Sequence, residues 1–193
     1  MNAGIHWLNF FVTLTRSSPI AWVMAICDSS TRTYRDGMQV ETSAVTYAQT
    51  ESGVRVVMNT GDEIDVNREG KDVLFRLIGT NGLIEFWGWE NGYSLLNAQF
   101  PQATLIRPEE FPIVGHQRHL EHLADMIEGG SLDYSIPESS LIALELCEGA
   151  YLSSKYRCKV PFPIDQFTPP SPSDWEPGKP YSGTGGGRDG RKL

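Results

Sequence analysis

Apolar residues near the start of the chain recur at helical spacing. Ile5, Leu8, Phe11 and Val12 lie three and four apart, which predicts a helix over 4–15 with one buried face. Ser17-Ser18-Pro19 ends it. Residues 20–27 are apolar and β-rich and predict a strand, followed by a polar loop or hairpin tip over 28–38 that carries the turn pair Asp36-Gly37. Alternation around Val45 and Tyr47 predicts a strand over 42–50. Glu51-Ser52-Gly53 turns the chain, and 54–58 returns as the partner. Beyond a polar stretch at 61–70, strands are predicted over 73–78 and 83–89, joined by Thr80-Asn81-Gly82. Asn91-Gly92 leads to a further strand over 93–98, with a short one at 104–106.

The period then changes. Leu120, Leu123, Ala124 and Ile127 form a helical face over 116–128, stopped by Gly129-Gly130. Ser135-Ile136-Pro137-Glu138 has the form of a capping box, in which the hydroxyl and the carboxylate satisfy free backbone donors. The helix it opens runs to about residue 154 and is expected to bury Leu141, Leu144, Ala150 and Tyr151. Val160-Pro161-Phe162-Pro163 is extended. From Thr168 the chain is rich in proline and then glycine, too polar to offset its ordering entropy.

Strands and helices are therefore segregated along the sequence. The expected class is α+β: an open, mainly antiparallel β-sheet with helices packed on one face, formed by residues 1–167, with 168–193 as a flexible tail. The other sheet face needs solvation or a partner. With Trp22, Trp87 and Trp89 on strand candidates, a two-fold homo-oligomer is the simpler expectation.

A formal net charge of −8 removes the usual attraction to nucleic acid and to anionic membranes. The apolar run 5–14 has no preceding Lys or Arg, and no stretch approaches the ~20 apolar residues of a membrane span. Cys27, Cys147 and Cys158 are odd in number and without CxxC spacing, which fits buried apolar thiols in a reducing cytoplasm.

Several residues invite chemistry. His116, His119 and His122 lie three apart, so each is rotated by about 60° from the last and the three do not converge on one ion. No metal site is expected. Gly185-Gly186-Gly187-Arg188-Asp189-Gly190 matches GxGxxG, but with neither a strand before it nor a helix after it the motif has no backbone cradle for a pyrophosphate. Trp7, Trp22, Trp87, Trp89 and Trp175 could stack on sugar rings, although packing accounts for most indoles. Asn59, Asp62 and Glu63 could bond a polyol or simply be solvated. His6 stands near a helix start, where its imidazole can exchange protons around neutral pH.

Three stretches in order carry a resemblance to a known family. They are Gly4-Ile5-His6-Trp7-Leu8, the hairpin Phe75-Arg76-Leu77-Ile78-Gly79-Thr80-Asn81-Gly82-Leu83-Ile84-Glu85, and the helix over 139–154 closing with Val160-Pro161-Phe162-Pro163. Together they resemble the C-terminal domain of the Gfo/Idh/MocA oxidoreductases over roughly residues 2–165. The resemblance implies that His6 takes the position of the catalytic histidine, a general acid/base on a sugar or polyol hydroxyl. It places Asn2 where the family has an aspartate, which limits Asn2 to orienting substrate by hydrogen bonds. Trp7, beside His6, and His119, on the helix after the sheet, are the expected substrate-wall residues. The family's lysine and its NAD or NADP belong to an N-terminal Rossmann half. That half has no counterpart here, so no cofactor is expected on this chain alone, and Met1 reads as an internal methionine of a longer protein, taken as a start or left by truncation. The alternative is a non-enzymatic oligomerisation or sugar-binding module.

Overall fold

The computed structural model describes residues 4–28, 41–61, 73–88, 91–108 and 115–170. The stretch read as one domain holds two compact units, Met1–Glu63 with Tyr134–Leu193, and Ile64–Asp133. The expected antiparallel strands accordingly fall into two four-stranded sheets. They part at the polar stretch 61–70, which offers no apolar alternation to continue a ladder.

The first unit contains α1 (Gly4–Thr15), β1 (Ile20–Asp28), β2 (Ser43–Thr50) and β3 (Arg55–Gly61). The second contains β4 (Leu74–Gly79), β5 (Gly82–Trp87), β6 (Tyr93–Asn97), β7 (Thr104–Ile106) and α2 (Gly115–Gly129). The chain then returns to the first unit with α3 (Ser135–Tyr156) and β8 (Val160–Pro161). The sheet orders are β3-β2-β1-β8 and β4-β5-β6-β7, and every pairing is antiparallel.

In the first unit, strand alternation sorts residues cleanly. Val23 of β1 and Ala44, Thr46, Ala48 and Thr50 of β2 are buried beneath α1 and α3, with Leu8, Phe11, Val12, Leu146 and Ala150 above them. The register sets Met24 opposite Tyr47 and Val57, and Ile26 opposite Val45, on the other face. Among the described residues no helix of the first unit covers that face. Ile26 is 73% and Val57 71% exposed. Trp22 on the same face is held edge-on to Tyr47 at 5.0 Å, with Lys159 Nζ 5.5 Å above its ring.

The face that α3 buries differs from the one expected. Ser139, Ala143, Leu146, Cys147, Gly149, Ala150 and Ser153 face inward, whereas Leu141 and Leu144 point out and Tyr151 is exposed. Small residues decide this, because they let the helix approach the sheet. A Cβ on Gly149 would stand 2.8 Å from Val23 Cγ1. The capping box is also absent. The N-cap is Tyr134, without a side-chain cap hydrogen bond, and Ser135 already lies inside the helix.

Two serines of α3 finish the edge of β1 beyond its short pairing with β8. Ala25 N–H donates to Ser153 Oγ and Cys27 N–H to Ser154 Oγ, each at 2.9 Å. Ser153 Oγ in turn donates to the Cys158 carbonyl at 2.7 Å. These bonds blunt a strand edge that would otherwise present unpaired donors.

Among the described residues, a buried hydroxyl on β2 lacks such a partner. Thr46 is fully buried and its hydroxyl makes no hydrogen bond. Thr46→Val keeps the shape and removes the stranded oxygen, so it should stabilise the protein by about 1 kcal/mol. Thermal unfolding should show a rise of about 2–4 °C. An unchanged or lower midpoint would mean that the hydroxyl is satisfied in solution.

In the second unit, Phe75 and Phe86 stack at 4.7 Å across β4 and β5, and Arg76 Nε donates to Glu85 Oε1 at 2.6 Å. The hairpin loop is Thr80-Asn81, because Gly79 and Gly82 already pair. Gly82 is thus a strand residue, needed because a Cβ there would overlap the Leu96 carbonyl oxygen and stand 2.9 Å from Asn97 Cβ. The predicted helical face of α2 forms but buries nothing: Leu120 and Ile127 are exposed. No helix among the described residues is long and apolar enough to cross a membrane.

Candidate functional site

The direction of α1 fixes where His6 can act. Leu8, Phe11 and Val12 clamp the helix to the sheet, which turns His6 outward and exposed. Trp7, next in sequence, is half-buried and packs against the core, with its ring 6.5 Å from the His6 ring at 69°. Packing therefore takes much of the Trp7 ring, and only its remaining surface could meet a ligand.

A polar tie joins α1 to α3. Asn9 Nδ2 donates to Ser140 Oγ at 3.5 Å, and Ser140 Oγ donates to the Ile136 carbonyl at 2.9 Å. Asn9 Oδ1 is buried without a hydrogen bond. Sequence reasoning missed this pair. Asparagine and serine 131 positions apart give no local signal.

Gly149 lies at Val23, Ser153 at Ala25 and Ser154 at Cys27, so β1 and α3 run the same way.

Of the other expected site residues, Asn2 lies outside the described residues, as do Asp62, Glu63, Trp89, Trp175 and the glycine-rich 183–190 segment. His119 is exposed on α2 in the second unit, as are His116 and His122. Asn59 is exposed on β3, on the helix-free face. The second unit has a shallow apolar depression at the β4–β5 turn, lined by Leu77, Ile84, Leu95 and Asn97 among others, with no titratable group.

Among the described residues no cluster could hold a metal ion. All their strand pairings are antiparallel, so they contain no parallel βαβ unit whose glycine-rich turn could hold a pyrophosphate. The thiols are poorly suited to nucleophilic work. Burial pushes both Cys27 and Cys147 above the ordinary cysteine range, which lowers their thiolate fraction at neutral pH. Iodoacetamide at pH 7.5 should therefore alkylate Cys27 more slowly than a free thiol. Alkylation as fast as glutathione would contradict this.

Comparison with known proteins gives a consistent result at the level of fold. An aldose-aldose oxidoreductase from Caulobacter crescentus, solved with glycerol, superposes with a TM-score of 0.66 at 18% identity, over 82% of this chain and 46% of its own. An oxidoreductase from Thermotoga maritima gives 0.62 at 19%, over 82% and 45%. The WlbA dehydrogenase from Bordetella pertussis, solved with NADH and UDP-GlcNAcA, gives 0.61 at 16%, over 86% and 45%. The chain thus spans about half the length of the solved oxidoreductases it matches. No family model and no curated protein matches the sequence.

Proposed function

From a chain that carries the fold of the Gfo/Idh/MocA oxidoreductase C-terminal domain, we propose the substrate-side and assembly part of an NAD(P)-dependent sugar or polyol dehydrogenase, inactive without a dinucleotide-binding half. The observation that carries this is the outward exposure of His6 on an α1 whose opposite side is locked into the core.

In this reading the His6 imidazole accepts the proton that a substrate hydroxyl loses as its carbon is oxidised. NAD or NADP, held by the other half, supplies the hydride acceptor. Asn2 orients the substrate by hydrogen bonds, and Trp7 contributes to its wall. The helix-free sheet face of Met24, Ile26, Val45, Tyr47 and Val57 joins a second copy, since so much exposed apolar surface on one face favours self-association. The protein is expected to work in the cytoplasm.

The same apolar face supports a second reading, a non-enzymatic oligomerisation or sugar-binding module. Isothermal titration of the purified chain with NAD and NADP, run beside light scattering, tests the first reading. A folded oligomer without saturable binding is expected, and joining a dinucleotide-binding half should then give turnover. Saturable binding or turnover by the chain alone would overturn the missing-half account. A joined enzyme without turnover would leave the module reading.

A further inference from the structure

We draw no further inference here: the strongest candidate, the exposed apolar stripe of Leu120, Leu123 and Ile127 along α2 in the second unit, carries nothing because nothing in the structure shows what covers it.

Discussion

Leu146→Ala should lower the free energy of unfolding by about 2–5 kcal/mol. Leu146 is fully buried in the cluster of Leu8, Val23, Ala150 and Val160, where α3 meets β1. Truncation removes its transfer free energy and leaves a cavity. The surrounding side chains, fixed between two helices and a sheet, fill such a space only partly. Urea denaturation should show an earlier midpoint with an unchanged slope, since the same surface is exposed on unfolding. The control is Leu144→Ala in the same helix. Leu144 is exposed, so its truncation should move stability by only about ±0.5 kcal/mol. Equal costs at the two positions would mean that α3 packs with a different face than the structure has it.

That pair also shows where the sequence misleads. Periodicity assigned Leu141 and Leu144 to the core because large apolar residues dominate the pattern. Along α3, however, leucines occur on both sides, and the informative residues are the small ones. Ser139, Ala143, Ala150 and Ser153 recur on one side, joined by Gly149 where only a hydrogen fits against Val23. In α1 the ambiguity does not arise. Leu8, Phe11 and Val12 lie on one side and His6 and Thr13 on the other, so its buried face was legible. Strands were legible to within a few residues because turn residues punctuate them. Gly53, with φ +89, sits in the β2–β3 turn as the Glu51-Ser52-Gly53 signal required. At Asn81-Gly82 the same signal marked the hairpin but misplaced its loop, since Gly82 answers to Leu96 on the neighbouring strand. The division into two sheets was not legible, because no pattern within a strand states which strand it will neighbour. The site was legible only in part. The order of motifs singled out His6, whereas the Asn9–Ser140 tie between α1 and α3 depends on tertiary contact alone.

The catalytic reading of His6 makes the other large prediction. In the enzyme completed with its dinucleotide-binding half, His6→Ala should lower kcat/KM about 10²–10⁴-fold, the usual weight of a positioned general acid/base. The fold should not respond. His6 is exposed at the surface of α1, and alanine is the better helix former, so the unfolding midpoint should stay level or rise slightly. Trp7→Ala cannot serve as the equivalent probe, because Trp7 packs against the core and its removal would mix lost stability with lost binding. A structural role for His6 and a catalytic one differ most clearly in the pH profile. If the imidazole moves the proton, the wild-type enzyme should show a pH-dependent limb in kcat/KM that His6→Ala lacks, with the residual rate rising only with hydroxide. An unchanged profile with a uniformly lower rate would instead make His6 a residue that merely shapes the pocket. Proton transfer would then have to come from a group on the other half.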